Sequence, residues 1–365
     1  MSIELIISLI KANIVLAVLL TNTILLIWFE RKVVAGMQSR VGPDRAGPFG
    51  ILQTLADAIK LLLKEQILPS KADRAMYLLA PLIALVPSFL IFMIIPLGPD
   101  ITVEWQNALY TIPLVGADLN VGVLYFLALS SIAVYSVVLA GWSSGSKYPL
   151  LGGVRASAQM ISYEAAMGLA LVPVILYSGS LSLVDIVNSQ SGNLSSSIPI
   201  LNTIVSFIPK WNIFPQFVAF GIFFIAAVAE VNRAPFDLVE AEQELVGGFH
   251  TEYSGFRFAM FFLAEYINMF NMCAITATFF LGGWLGPTFE GILPPIFSAI
   301  MPIIWLGVKT FLLLFVFVWI RATLPRLRYD QLMELGWKRM IPLSLVWLIL
   351  SAIVLGLREF GLPWS

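Results

Sequence analysis

Eight stretches of this chain stay apolar for about twenty residues at a time, and that recurrence restricts the fold more than any other feature. A helix needs ~20 such residues to cross the ~30 Å hydrocarbon core of a bilayer. Inside that core every backbone polar group must find its partner within the protein. The stretches are residues 3–29, 75–96, 121–142, 158–177, 213–230, 256–281, 298–320 and 340–357. They predict an all-α membrane protein, with eight transmembrane helices in one polytopic domain spanning 1–365. Only 12% of the 365 residues are charged, about half the ~25% of soluble domains. The main solvent of such a chain is lipid. The first run reaches Phe29 and lacks the short pattern of a cleaved signal peptide, so it is expected to stay as a span.

Lysine and arginine set the orientation. Of the 21 in the chain, 17 fall in the loops after the first, third, fifth and seventh spans. Only Lys210 and Arg358 fall on the opposite side, while Lys11 and Lys309 lie within spans. Cationic loops stay in the cytoplasm. Both termini are therefore expected on the non-cytoplasmic side.

The first of these loops opens with Glu30-Arg31-Lys32 and carries two turn signals, GPDR at 42–45 and GPFG at 47–50. Residues 51–65 then read as an amphipathic helix. Ile51, Leu52, Leu55, Ile59, Leu62 and Leu63 share one face, and Gln53, Asp57, Lys60 and Lys64 share the other. That spacing suits a helix lying flat at the membrane interface, and equally one packed against the bundle. On the other side, residues 100–120 alternate weakly enough for a hairpin, and 181–211 hold a Ser/Asn patch. No internal repeat supports an inverted-repeat transporter.

A net charge of −1 argues against nucleic acid as a partner. One cysteine (Cys273) and one histidine (His250) cannot build a Cys/His metal site or a disulfide framework. Redox chemistry would need a cofactor held elsewhere.

Residues 229–266 stand out between two apolar runs. They hold seven of the 22 acidic residues: Glu230, Asp237, Glu240, Glu242, Glu244, Glu252 and Glu265. On a helix Asp237, Glu240 and Glu244 share a face, with Glu242 nearly opposite. Like charges this close favour proton uptake; a solvated acidic loop is the plainer reading. Glu230, Glu265 and Glu164 fall at membrane depth, where leaving three carboxylates unpaired would cost on the order of 8–10 kcal/mol. Arg233 and Arg257 lie near the span ends, with Lys11 and Lys309 as further cations. Tyr163, Tyr253 and Tyr266 offer hydroxyl donors. The set reads either as a proton relay or as ion pairs holding helices in register. His250 reads as a surface hydrogen-bonder or a proton shuttle, and Cys273 as core filler. The basic turn 321–338 explains itself as positive-inside anchoring, or as a docking site for a soluble partner or anionic lipid.

Five segments carry a resemblance: ERK at 30–32, RVGPDRAGPFGILQTLADAIKLLLKE at 40–65, SKYPLLGGVRASAQMISYE at 146–164, RAPFDLVEAEQELVGGFHTEYSG at 233–255 and RATLPRLRYDQLMELGWK at 321–338. Together they resemble, over nearly the whole chain, the subunit 1 family of respiratory complex I, the proton-translocating NADH:quinone oxidoreductase, in the bacterial wording of its H subunits. The resemblance implies a subunit of the bacterial cell membrane that forms much of a quinone chamber and couples quinone reduction to proton translocation. Quinone is then a substrate, while NAD, FMN and the iron–sulfur clusters are bound by partner subunits. Those partners are the quinone-module and iron–sulfur subunits of the peripheral arm and small subunits of the membrane arm, within the lipid bilayer. By the same resemblance Glu164 and Glu230 match the intramembrane acids of a proton path, and Asp237, Glu240, Glu242, Glu244 and Glu252 its acidic loop; Glu265 joins the path by its place at membrane depth. The resemblance puts Arg40, Arg45, Asp57, Lys60, Lys64 and Arg257 at the chamber or its entrance, and Arg31 and Arg233, beside these segments, are expected there too. Such coupling requires an element with two arrangements, and Gly247-Gly248 is the expected hinge. The third span has no carboxylate, so a relay through it is expected to use Tyr125, Tyr135 or water. Two other roles fit the architecture: the membrane subunit of a hydrogenase, or a scaffold without a proton path.

Overall fold

The computed structural model describes residues 3–105, 108–193, 209–237, 246–287 and 295–360. Its elements in chain order are α1 (Ile3–Met37), α2 (Gln53–Leu63), α3 (Arg74–Met93), β1 (Ile101–Trp105), β2 (Ala108–Ile112), α4 (Gly122–Ser143), α5 (Lys147–Ser178), α6 (Leu183–Ser189), α7 (Phe217–Glu230), α8 (Gly255–Phe280), α9 (Pro295–Thr323), α10 (Tyr329–Glu334) and α11 (Ile341–Phe360). Among the described residues seven helices are long and apolar enough to cross a membrane, and α7 is a shorter apolar helix. The expected fifth span is thus only 14 residues, about 21 Å at 1.5 Å per residue. It falls short of a bilayer alone, and non-helical backbone continues it at both ends, mostly buried over 231–237 but with Phe214 and Pro215 exposed before the helix. Irregular backbone at that depth is tolerated when protein surrounds it. The weak alternation after α3 is a two-stranded antiparallel hairpin with Ile101 opposite Ile112.

α5 and α8 form the centre. α5 packs on α4, α7 and α11, and α8 packs on α3 and α9. Their buried faces supply Tyr163, Met167, Leu171, Ile267, Phe279 and Phe280. α5 begins eleven residues before its apolar run, at Lys147. That first part, with Arg155 and several glycines and serines, is held by close backbone contact rather than by hydropathy. A Cβ on Gly152 would lie 2.7 Å from Gly248 Cα, and Gly248 itself has φ +59°, so both positions require glycine. The contact seats the loop before α8 directly on α5 and leaves Gly247 the freer of the two expected hinge residues.

α8 stops inside the bundle, where its last carbonyls have no water to bond. Side chains and backbone from three segments supply the donors. Gln190 Nε2 donates to Thr278 O (2.9 Å), Asn212 Nδ2 to Phe279 O (2.9 Å) and Ile213 N to Phe280 O (2.9 Å). Lys309 Nζ donates to Leu281 O (2.6 Å), Gly283 O (3.0 Å) and Leu285 O, and it sits 4.2 Å from the Trp211 ring centre. Lys309 therefore caps a helix. It does not pair with the carboxylates of the acidic stretch, because it is at the other end of α8.

Cross-links gather the basic segments at one end of the bundle. Asp73 caps α3 and its N–H donates to Ser143 O (2.9 Å). Ile67 N donates to Ser254 Oγ (2.9 Å), and Leu327 N to Pro235 O (3.0 Å). The loops after α1, α4, α7 and α9 are thus neighbours in space.

Candidate functional site

That end holds a buried charge network. Glu30, near the close of α1, is 4% exposed. It is ion-paired with Arg321 of α9, lies 3.9 Å from Arg233 and is hydrogen-bonded by the Tyr266 hydroxyl. Arg233 Nε lies 2.8 Å from Glu265 Oε1 on α8, and its guanidinium covers the Tyr266 ring at 4.4 Å. Asp237 pairs with Arg326 at 3.5 Å. Three carboxylates meet three guanidiniums, which is how charge survives burial. Gln159, fully buried on α5, holds the loop that carries Arg233 and Asp237. Its amide nitrogen lies 2.9 Å from Ala229 O, 2.8 Å from Phe236 O and 3.3 Å from Asn232 Oδ1.

Beside this network is a cavity of about 440 Å³, enclosed by α3, α4, α5, the exit of α7 and α8. Glu230, Asp237, Glu265, His250, Asn268 and Ser136 contribute its polar lining. Glu230 ends α7 at 6% exposure, and its Oε2 has no hydrogen-bond partner among the described residues. His250 is half-buried. It is edge-on to Phe249 and Phe258, with ring centres 5.0 and 5.4 Å away.

Glu164 lies outside the cavity wall but close enough for its charge to act on Glu230. Its Oε1 accepts from Ser130 Oγ (3.0 Å) and from Ser131 Oγ. Ser136, which lines the cavity, is six residues further along α4, a rise of about 9 Å. Hydroxyls of α4 therefore reach Glu164.

The loop after α1 is laced to the helix before it. Arg31 bonds Asp57 at 2.6 Å, Gln53 Nε2 donates to Asp57 Oδ1 (3.0 Å) and Trp28 Nε1 to Phe49 O (2.9 Å). Partial burial acts to raise the Asp57 carboxyl, but the bonds from Arg31 and Gln53 and the charges of Arg31 and Lys60 outweigh it and hold the group below the ordinary range. Leu52, Leu55, Ile59, Leu62 and Leu63 of α2 are exposed. The apolar face of α2 is thus not packed on the bundle, which fits an interfacial helix. Arg40, Arg45, Lys60 and Lys64 are exposed nearby.

Arg257 belongs to a different group, with its guanidinium 5.5 Å from the Tyr77 ring centre and its Nη1 buried without a hydrogen-bond partner among the described residues. Tyr77 stacks on Tyr253 at 4.1 Å. Its hydroxyl donates to Glu252 O (2.7 Å), and Tyr253 Oη donates to Tyr77 O (3.2 Å). Burial pushes the Tyr253 phenol up to about 12.

Of the expected path residues, the fold brings Glu230, Asp237 and Glu265 to one cavity with Glu164 nearby. Glu252 contributes a backbone carbonyl on the Tyr77 side, and Glu240, Glu242 and Glu244 lie outside the described residues. Of the three tyrosines, only Tyr266 serves a carboxylate; Tyr163 donates to Leu332 O (2.8 Å). Sequence reasoning missed Glu30, Arg321, Arg326 and Gln159 as site residues. A carboxylate in an apolar run ahead of Arg31-Lys32 was the available signal for Glu30. Arg321 and Arg326 were absorbed into the positive-inside count.

A polytopic helical membrane protein with a balanced, buried charge network and an acid-lined cavity at one end of its bundle is the class these features define. The family model described as NADH dehydrogenase matches residues 10–352, and the chain belongs to that family. Its relatives are H subunits of NADH-quinone oxidoreductase. The chain is 51% identical over 336 residues to the second H subunit of Syntrophobacter fumaroxidans, covering 92% of each chain. It is 50% identical over 345 residues to the second H subunit of Geobacter sulfurreducens, covering 94% of this chain and 95% of that relative. With the H subunit of Frankia alni the identity is 51% over 346 residues, covering 94% of this chain and 72% of the relative.

Proposed function

We propose that this chain is the membrane subunit of a proton-translocating NADH:quinone oxidoreductase that forms the quinone chamber and passes the effect of quinone reduction to the proton path. The names of its relatives support the first part. The cavity that brings Glu230, Asp237 and Glu265 together, with Glu164 outside its wall, supports the second, and the buried Glu230 carboxyl, with an oxygen that has no hydrogen-bond partner among the described residues, is the observation that carries the reading. A carboxyl group buried among apolar side chains feels charge strongly, because its surroundings screen little, so a change of charge nearby has a group ready to respond. The chamber and its entrance are assigned to Arg31, Arg40, Arg45, Asp57, Lys60, Lys64, Arg233 and Arg257, and the exposed apolar face of α2 gives a lipid-soluble quinone a route from the membrane. Quinone is the substrate. One cysteine and one histidine supply too few donors for an iron–sulfur cluster, so clusters belong to partner subunits of the peripheral arm, as does FMN by the family resemblance, while this chain lies in the bacterial cell membrane. No feature favours a hydrogenase role over this one.

The test is Glu230→Gln in the assembled complex, reconstituted in vesicles with NADH and quinone. Proton translocation per quinone reduced is expected to fall at least tenfold, with assembly and the visible cofactor spectrum unchanged. A variant that pumps at the wild-type ratio would leave Glu230 a structural group and favour the scaffold role.

A further inference from the structure

Two adjacent serines on α4 hold the Glu164 carboxylate, and each hydroxyl has a second acceptor. Ser130 Oγ lies 3.0 Å from Glu164 Oε1 and 2.9 Å from Leu127 O. Ser131 Oγ bonds the same Oε1 and lies 3.0 Å from Leu127 O. A serine hydroxyl has one hydrogen and two lone pairs, so each can donate to only one of these acceptors at a time.

We propose that Ser130 and Ser131 are positioning residues that let Glu164 gain and lose a proton while its carboxyl oxygen keeps a hydrogen-bond partner in both states; this rests on the proton-path reading above. With Glu164 ionised, both hydroxyls donate to Oε1. When a proton binds at Oε1, the new O–H donates to Ser131 Oγ. Ser131 turns its own hydrogen to Leu127 O, and Ser130 continues to donate to Glu164. Leu127 O then accepts the helical N–H of Ser131 and the Ser131 hydroxyl, one for each lone pair. The only covalent change is the O–H bond formed at Glu164; the serines rotate and lose nothing. The titratable group that faces Glu164 from a packed element is Glu230 of α7. α4 adds the Tyr135 phenol one turn beyond Ser131, on its exposed side. Ser131 is itself exposed and Glu164 half-buried, so the arrangement sits where a proton can be handed across the rim of the bundle. It also explains how a helix with no carboxylate takes part in an acid path.

The experiment uses the assembled complex in membrane vesicles, with Ser130→Ala/Ser131→Ala, Ser131→Thr and Glu164→Gln compared. The readouts are the pH profile of coupled turnover and the infrared C=O band that Glu164→Gln abolishes. Alanine is a better helix former than serine, so α4 is kept. Removing both donors to the ionised form is expected to move the pH profile toward alkaline pH by about one unit, a tenfold change in proton affinity. The Glu164 band is expected to shift in frequency, and Ser131→Thr, which keeps the hydroxyl, to restore both. A double-alanine variant with the wild-type profile and band, while Glu164→Gln remains inactive, overturns the proposal and leaves the proton path standing. Wild-type coupling in Glu164→Gln overturns both.

Discussion

Arg233 is the residue on which most of the buried charge depends. It lies 2.8 Å from Glu265 and 3.9 Å from Glu30, with Tyr266 beneath it. Removing one partner from a buried pair leaves an uncompensated charge, at a cost of about 3–5 kcal/mol. Arg233→Met is therefore expected to lower the melting temperature of the purified complex markedly. Glu265→Gln in the same chain should recover part of that loss, since it removes the stranded carboxylate. A double-mutant cycle checks this; losses that simply add would mean that the two side chains do not interact. Lysine is expected to be a poor substitute, because it brings the charge without the planar fork that serves two carboxylates and a ring at once. Nothing in the sequence pairs Arg233 with Glu30, two hundred residues away. The acids were legible as a group because ionisable residues beside apolar runs are rare; their partners were not, because pairing is a property of how α1, α8 and α9 meet.

At the scale of elements, the end of α8 shows why spans were legible and their contacts were not. A run of ~20 apolar residues announces a helix from composition alone. It does not announce that α8 stops within the bundle, or that Gln190, Asn212 and Lys309 converge on its last carbonyls. Lys309, read only as a possible partner for carboxylates, donates to three carbonyls, matching the three donors of an ammonium and the negative end of a helix dipole. Lys309→Met should strand those carbonyls at about 1–3 kcal/mol each. The consequence is local: amide exchange over 277–285 is expected to quicken at least tenfold, with exchange in α4 and α5 unchanged. Unaltered exchange at 277–285 would show that the cap contributes nothing. The same limit applies to α7 and α5. One is shorter than its apolar run because the flanking backbone bonds to α8, and the other is longer because glycines let α4 and the Gly248 loop approach it. Neither extent is written in hydropathy.

For the whole molecule, the two ends of the bundle differ in chemistry. One carries Glu30, Arg233, Asp237, Arg321 and Arg326 in ion pairs, with the exposed cations of the loop after α1 beside them. The other carries the hairpin, α6 and the neutral amides that close α8. The cations at the first end have two roles that the loop count merges. Arg233, Arg321 and Arg326 are spent on buried carboxylates, so the orienting charge falls to exposed residues such as Arg40, Arg45, Lys60, Lys64 and Arg328. These still lie on one side, and cations near span ends are what retain a loop in the cytoplasm. The arrangement predicts that this end faces the cytoplasm and both termini the opposite side. Cys273 is fully buried, so the chain offers a quiet background for labelling. With Cys273→Ala as the parent, Arg328→Cys should react with a membrane-impermeant maleimide only in inside-out vesicles. Ser191→Cys, in the loop after α6, should react only in right-side-out vesicles. The reverse pattern would invert the topology and move the acid-lined cavity away from the cytoplasmic side. Reaction of both sites from one side would mean that an odd number of spans separates the ends of the chain, and that short α7 does not cross the membrane.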